Sequence, residues 1–237
     1  MKKIMDKKEK NGTLFFVKYP KQGMVKSRLS NKIDEKLVLK LYRNFVEDLL
    51  DMLNKSDYSV IICYHPKDAI KDFKKWLGED YLYIPQVGNN LGERLKNSFI
   101  KGFDLGFKKL TVIGSDSPDL PNSIIHESFQ SLKNNDSVIG PCEDGGYYLI
   151  GFNENSFLPD VFDNIPWSTS DVYNKTVSIL DKSNHKVRIL PIWHDVDTIN
   201  DLIHIYKKNK NTTFKNSNTM VFLTEFYKNK INEEYES

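Results

Sequence analysis

Short β-rich apolar runs alternate with longer stretches of helical periodicity along most of this chain, and few folds accommodate that pattern. Residues 13–18 (TLFFVK) predict a buried strand. Residues 34–53 then carry Leu37, Leu41, Phe45, Leu49 and Met52 at steps of three and four, an amphipathic helix. The alternation continues with a strand at 58–64 (YSVIICY), a short helix at 69–77 with Phe73 and Trp76 on one side, and an edge strand at 81–85. Leu91, Leu95, Phe99 and Phe103 share a face of the next helix, over 91–103. LTVIG at 110–114 predicts a buried central strand, followed by a helix over 122–132 and strands at 137–140 and 147–152. The cluster from Ser168 to Asp171 offers capping hydroxyls to a helix reaching about Leu180. A strand at 187–191 and a helix at 199–206 complete the series.

This alternation predicts an α/β fold: one domain, a mostly parallel sheet with helices on both faces. No internal repeat or inner linker interrupts it. The expected organisation is a charged N-terminal tail over residues 1–12, the domain over 13–206, and a C-terminal stretch over 207–237. That last stretch reads as a polar linker to residue 218, then an amphipathic helix carrying Met220, Leu223 and Tyr227 that lies on the body. In such a sheet, ligands bind in the crevice beyond the carboxyl ends of the strands. Residues that follow predicted strands are therefore the first candidates for chemistry.

Composition removes several function classes. Lys+Arg 34 against Asp+Glu 32 gives a net charge of +2, too balanced for the electrostatic footprint of a dedicated nucleic-acid binder. No apolar run approaches the roughly 18 residues of a membrane span. The charged start (Lys2, Lys3, Asp6, Lys7, Lys8, Glu9, Lys10) lacks the apolar segment of a signal peptide. Cys63 and Cys142 make neither a disulfide framework nor a zinc site. The expectation is a soluble cytoplasmic protein. Among the 34 basic residues only Arg28, Arg43, Arg94 and Arg188 are arginine, so these positions draw attention: a planar guanidinium grips phosphate in a way an ammonium cannot.

Four segments fall where strands end. The first, 18–29 (KYPKQGMVKSRL), opens a turn at Pro20 and Gly23 whose N–H groups could meet an anion, with Lys18, Lys26 and Arg28 around it. It is not a P-loop, because the glycine before the lysine is missing; a solvated surface loop is the competing reading. The second, 114–120 (GSDSPDL), places Asp116 beyond the central strand, where a carboxylate could hold Mg²⁺ or Mn²⁺ together with substrate phosphates. Asp119 reads as a turn or N-cap residue there. The third, 140–148 (GPCEDGGYY), combines the acid–base groups Glu143 and Asp144 with Gly145 and Gly146, which let a backbone approach a ligand; a hairpin turn explains them equally well. The fourth, 194–198 (HDVDT), offers two carboxylates that could complete a metal site with Asp116, unless Asp197 or Thr198 caps the next helix. Gln86, Gly92 and Arg94 form a last group.

Taken in order, FVKYPKQGMVKSRL, Gln86 with LGERL, IGSDSPDL, GPCEDGGYYLIGF, IPWST and DVDT resemble a bacterial and archaeal family. Its members are described as glycosyltransferase-like, or as radical-SAM/selenodomain-associated transferases. That family is similar to nucleotide-diphospho-sugar transferases of the GT-A fold. More distantly it resembles small nucleotidyltransferases such as 2-phospho-lactate guanylyltransferase, whose first loop also carries a Lys-Ser-Arg-Leu run. The resemblance implies that Lys18, Gly23, Lys26 and Arg28 bind nucleotide phosphates, and that Gln86, Gly92 and Arg94 lie near the base or ribose. It implies metal ligation by Asp116 and Asp197, catalytic roles for Asp116 and Asp144, and an acceptor wall at Gly145, Gly146 and Tyr147. Two departures stand out. Asp116 and Asp119 are three apart, so the D-x-D signature of many sugar transferases is not met at that strand. Cys142 occupies a place where a small residue is expected.

The resulting expectation is a transferase using Mg²⁺ or Mn²⁺ and a nucleotide-diphospho-sugar, with a small-molecule acceptor. One alternative is nucleotidyl transfer from a nucleoside triphosphate with release of pyrophosphate. Another is nucleotide binding without catalysis.

Overall fold

The first strand, β1 (Asn11–Lys18), has an uninterrupted buried interior from Gly12 to Val17, which places it inside a sheet covered on both faces. A loop and a single helical turn, α1 (Ser27–Ser30), lead to α2 (Glu35–Asn54), whose first N–H groups at Lys36 and Leu37 are capped by the Asp34 carboxylate. There follow β2 (Ser59–His65), α3 (Ile70–Leu77), β3 (Leu82–Pro85), α4 (Leu91–Asp104), β4 (Lys109–Ile113), α5 (Asn122–Ser131), β5 (Ser137–Pro141) and β6 (Tyr147–Asn153). Two 3₁₀ turns (Glu154–Ser156 and Pro159–Phe162), α6 (Val172–Lys182), β7 (Val187–Ile189), α7 (Ile199–Asn209), a further 3₁₀ turn (Thr213–Asn216) and α8 (Asn218–Tyr235) complete this computed structural model. It describes residues 10–235, with side chains through residue 228. Most of the charged tail expected at the N-terminus lies outside the described residues.

The seven strands form one sheet in the order β3-β2-β1-β4-β6-β5-β7. Every neighbouring pair is parallel except the two made by β6, which runs antiparallel to β4 and β5. The mostly parallel sheet flanked by helices is therefore the one anticipated from the alternation. Because β6 is reversed, its first residue lies at the same edge as the last residues of β1, β4 and β5. The segments 18–29, 114–120 and 142–146 consequently open onto one rim.

Two apolar layers cover the sheet. One includes Phe15, Val46, Leu49, Ile62, Phe73, Ile125 and Phe129, and the other Leu14, Ile61, Leu95, Phe99, Val112, Ile150 and Phe162. A third cluster joins α2, α7 and α8 through Leu41, Phe45, Leu202, Ile205, Met220 and Leu223. Burying an aliphatic side chain of this kind contributes about 1.5–3 kcal/mol, so the three apolar residues Met220, Phe222 and Leu223 supply the hydrophobic drive for docking α8. Its N-terminus is tied down by Asp48 of α2, whose two carboxylate oxygens accept from Asn218 N and Thr219 N, both at 2.8 Å.

Two local expectations differ from the structure. The expected linker from residue 207 is partly helix, because α7 runs on to Asn209, which is buried and bonded to Asp119 and to Ile205 O. Polarity there reflects an internal hydrogen-bond partner rather than exposure. At the start of α6, Thr169 Oγ1 accepts from Asp171 N at 3.3 Å, so that hydroxyl serves the turn ahead of the helix rather than its first N–H groups. Among the described residues, no helix is long and apolar enough to cross a membrane.

Candidate functional site

The loop after β1 delivers Lys26 into the rim with a left-handed backbone, φ 49 and ψ 43. Its ammonium touches Asp116 Oδ1 and lies 2.9 Å from Asp197 Oδ1, across 171 positions of sequence. The Lys26 side chain is only 3% exposed, whereas Asp116 and Asp197 remain 47% and 42% exposed. Burial alone pushes the Lys26 pKa down, but Asp116 and then Asp197 outweigh it and hold it above the ordinary lysine range. Asp197 responds in kind. Burial raises its pKa, yet Lys26, followed by Arg28 and Lys18, brings it below the usual carboxylate value. The basic residues of the first loop thus act on the acidic pair at short range.

The loops that carry these carboxylates are stapled by their backbones. Val196 N donates to Asp116 O at 2.8 Å. Thr198 and Asp201 form a reciprocal capping box at the start of α7, which frees the Asp197 carboxylate to face Lys26. Between the two lies Asp195, whose Oδ1 accepts from Ser117 Oγ at 2.6 Å and whose Oδ2 accepts from Cys142 Sγ at 3.4 Å. Burial, reinforced by the neighbouring Asp116 charge, raises Asp195 to about 6. Burial, then Asp195, drives the Cys142 thiol up as well. Cys142 Sγ, Asp144 and Asp195 bring their ligand atoms within 4.8 Å of one another.

The acceptor-side residues are placed by the β5–β6 hairpin. Asp144 is exposed and accepts from Gly146 N at 2.9 Å. Gly145 has φ +87, and a Cβ there would collide with Ser170 O, so glycine is needed to bring the hairpin against the segment leading into α6. Tyr147 lays its ring near Trp167, centroids 6.3 Å apart, but sends its hydroxyl inward beside Thr176, where burial raises its pKa. It offers the rim a ring rather than a hydrogen-bonding group.

Other candidates are partly committed to the scaffold. The Gln86 amide is buried and donates to Cys63 O at 2.7 Å and Val17 O at 3.4 Å, bracing the ends of β1 and β2. Gly92 allows α4 to approach Phe162 O and the Trp167 indole, which a Cβ would strike. Arg94 Nε donates to Gly88 O at 3.1 Å, and its charge, with that of Lys18, helps lower the pKa of His65 after the larger effect of burial. Gly23 lies in the first loop with φ +73, but its N–H donates to Glu35 Oε1 at 2.8 Å, and Gln22 bonds the same carboxylate. The anion met by that turn is a side chain of α2.

Asp119 lies in the turn closed by Leu120 N donating to Ser117 O at 3.1 Å, as one of its two expected roles has it, but it does not cap α5. The N-cap position of α5 is Pro121, and Asp119 Oδ1 instead accepts from Trp193 Nε1 at 2.9 Å. Its Oδ2 accepts from Asn209 Nδ2 and pairs with Lys208 Nζ, each at 2.9 Å. The 114–120 loop is thereby anchored to α7. Tyr42, absent from the sequence-level candidates, bonds Ser115 Oγ at 3.1 Å and both the N–H and the carbonyl of Lys18, connecting the first two rim segments. A lone tyrosine on the buried side of a helix gives no sequence signal for this role.

The chain is similar to a candidate nucleotide-diphospho-sugar transferase from Desulfovibrio desulfuricans G20, with 43% identity, a TM-score of 0.88, and coverage of 91% of this chain and 94% of that one. At 11% identity it shares the fold of 4-diphosphocytidyl-2C-methyl-D-erythritol synthase from Anaerococcus prevotii, with a TM-score of 0.56 over 86% of this chain and 97% of that one. A cytidylyltransferase from Leptospira borgpetersenii aligns at 14% identity with a TM-score of 0.53, covering 95% and 96% of the two chains. No curated protein matches the chain. Residues 49–169 match the model of a family described as an uncharacterized protein conserved in bacteria (DUF2064), and the chain belongs to that family.

Proposed function

We propose that this protein is a transferase acting at the phosphates of a nucleotide, with a nucleotide-diphospho-sugar as donor and Mg²⁺ or Mn²⁺ as cofactor. The observation that carries the reading is the meeting of Asp116 and Asp197 on one rim beside Lys18, Lys26 and Arg28. The similarity to the Desulfovibrio protein supports the donor class.

The residues fit a hard divalent cation. Three carboxylates, Asp116, Asp195 and Asp197, gather near Lys26, which contacts one oxygen each of Asp116 and Asp197. The raised pKa of Asp195 comes first from burial and then from the Asp116 charge beside it. Oxygen donors suit Mg²⁺ and Mn²⁺, with Asp116 and Asp197 as ligands. The group of Cys142, Asp144 and Asp195 fits less well: burial keeps the thiol protonated, and metals take the thiolate.

When bound, the cation would neutralise phosphate oxygens and polarise the bond to the leaving group. Lys18, Lys26 and Arg28 bind phosphate oxygens and absorb the negative charge that develops as the donor bond breaks. Charge-assisted contacts of this kind contribute about 1.5–3 kcal/mol each, so a few suffice to hold a nucleotide. Asp144, exposed on the hairpin, takes the proton of the acceptor hydroxyl, and the backbone of Gly145 and Gly146 forms the wall against which the acceptor rests. Gln86 and Gly92 shape the base or ribose side through the backbone they brace, and Arg94 supplies charge there.

Nucleotidyl transfer is the second reading. It is favoured by the three cationic side chains acting on Asp197, more positive charge than a diphosphate requires. Incubation with nucleotide-diphospho-sugars, and separately with nucleoside triphosphates and small hydroxylated acceptors, distinguishes the two by the product: nucleoside diphosphate for the first, pyrophosphate for the second. Asp116→Ala is expected to lower turnover by about 10²-fold or more, the cost of losing a preorganised electrostatic group. Unchanged turnover of that variant across a Mg²⁺ titration would remove Asp116 from the mechanism.

A further inference from the structure

Lys26 stands where the proposed cation would bind. Its ammonium contacts one oxygen each of Asp116 and Asp197, and with the side chain 3% exposed it fills the space between them. A divalent ion held by the same two oxygens would need the place the ammonium takes, and the two cannot share it because like charges repel at short range. Occupation by one requires departure of the other.

We propose that Lys26 closes the cation place in the free protein and leaves it only when nucleotide phosphates draw the ammonium away, so that the substrate is taken up as a cation–nucleotide complex. The inference rests on the assignment of the cation to Asp116 and Asp197. Three observations support an exchange rather than a permanent bridge. The Lys26 backbone is left-handed, φ 49 and ψ 43, a conformation that costs a non-glycine residue free energy and persists only while its surroundings hold it. The two carboxylates are nearly half exposed, so an arriving cation meets them from solvent with one oxygen of each already taken by Lys26. Their positions are also fixed independently of Lys26, by the bond from Val196 N to Asp116 O and by the capping box at Thr198 and Asp201. Removing the ammonium therefore leaves a formed pair of ligands.

The charges face one another from every packed element. Lys26, Lys18 and Arg28 come from the first loop, Asp116 from the loop after β4, and Asp195 and Asp197 from the segment before α7. Phe45 of α2 lies behind the ammonium at 5.7 Å. A cation arriving alone must displace Lys26 into water without a new anionic partner. Phosphates arriving with the cation give the lysine that partner beside Lys18 and Arg28. The two ligands then favour each other by the same factor in either order of binding.

The test is a titration of Mn²⁺ alone into the full-length protein, with free Mn²⁺ counted by electron paramagnetic resonance, for wild type and Lys26→Met. The expected result is weak binding by wild type and at least about tenfold tighter binding by Lys26→Met, within the range of ordinary coupling between ligands. Adding Asp116→Asn to Lys26→Met should abolish that gain. Equal Mn²⁺ affinity in wild type and Lys26→Met overturns the exchange while leaving the cation assignment standing. Absence of Mn²⁺ binding from both overturns the assignment itself and the exchange with it. A second measurement needs no folded variant: acetylation of Lys26 in wild type, read by peptide mass spectrometry. Labelling should be slow in chelator, accelerate only at the high Mn²⁺ concentrations that force the lysine into water, and slow again when pyrophosphate gives it a partner. Acceleration by Mn²⁺ at low concentration without pyrophosphate would overturn the proposal.

Discussion

Asp195→Asn isolates the electrostatic cost of assembling the rim. Asp195 has a pKa raised from 3.8 to about 6, first by burial and then by the Asp116 charge, against the opposing hydrogen bond from Ser117 and the Lys26 charge. The sign follows from linkage. Below pH 3.8 the carboxyl is protonated in both folded and unfolded chains and costs nothing. As the pH rises from there to about 6, the unfolded chain ionises while the folded one still holds its proton, so this group makes the protein progressively less stable. Above that window the penalty is complete, and two pH units at 1.36 kcal/mol each make it about 3 kcal/mol. Asparagine does not titrate, and its amide oxygen can still accept from Ser117. Urea unfolding in chelator at about pH 4 and about pH 8 should therefore show the variant gaining roughly 2.5 kcal/mol on wild type between the two conditions. Titrating groups that do not sense the Asp195 charge are common to both proteins and cancel in the difference. A variant-minus-wild-type difference that stays constant between the two pH values would refute the claim that burial and the Asp116 charge raise Asp195.

Asp119→Ala removes the acceptor of Trp193, Asn209 and Lys208 and should cost about 3 kcal/mol in urea unfolding, as loss of one partner of a largely buried pair does; an unchanged midpoint would show that the anchor to α7 is dispensable. Asp48→Ala strips the N-terminus of α8 of two caps, leaving Ser217 Oγ on Met220 N, and should weaken docking of that helix by about 2 kcal/mol. Hydrogen exchange at residues 218–223 would speed up while strands β1 and β4 stay protected, and uniform protection would contradict the capping role. Gly145→Ala forces a side chain onto φ +87 and into Ser170 O. It should cost about 1–3 kcal/mol and displace the 168–171 segment, which unaltered stability would disprove.

Periodicity made the fold legible because the sheet is buried on both faces and the helices on one. Apolar runs such as Leu14–Val17 and the stripe through Leu41, Phe45 and Leu49 record those environments directly. The cap at Thr198 was readable as one of two alternatives with Asp197, and it lies three residues before its partner Asp201, whereas the hydroxyls at 168–171 do not cap α6. The rim was readable as a set of strand ends, and Asp116 and Asp197 do meet there. What joins them was not. Lys26 and Asp197 are 171 positions apart, and Asp119 and Asn209 are 90 apart, so no local spacing encodes either pair. The same holds for Glu35, which answers the N–H of Gly23, and for Gln86, a polar residue at the end of a strand whose amide turns inward to two carbonyls. Polar residues advertise the possession of a partner but not its identity, and the stretch after residue 207 was misread for that reason.

A thermal-shift series across nucleotide-diphospho-sugars and nucleoside triphosphates, run on wild type with Mn²⁺ and again in chelator, bears most immediately on whether this rim binds a nucleotide and a divalent cation together. A ligand that binds only the native state raises its melting temperature. At least one nucleotide should raise it with Mn²⁺ present, and the rise should vanish in chelator and in Asp116→Asn. A nucleotide that stabilises wild type and Asp116→Asn equally, with or without Mn²⁺, would contradict the assignment of Asp116 and Asp197 to a shared cation.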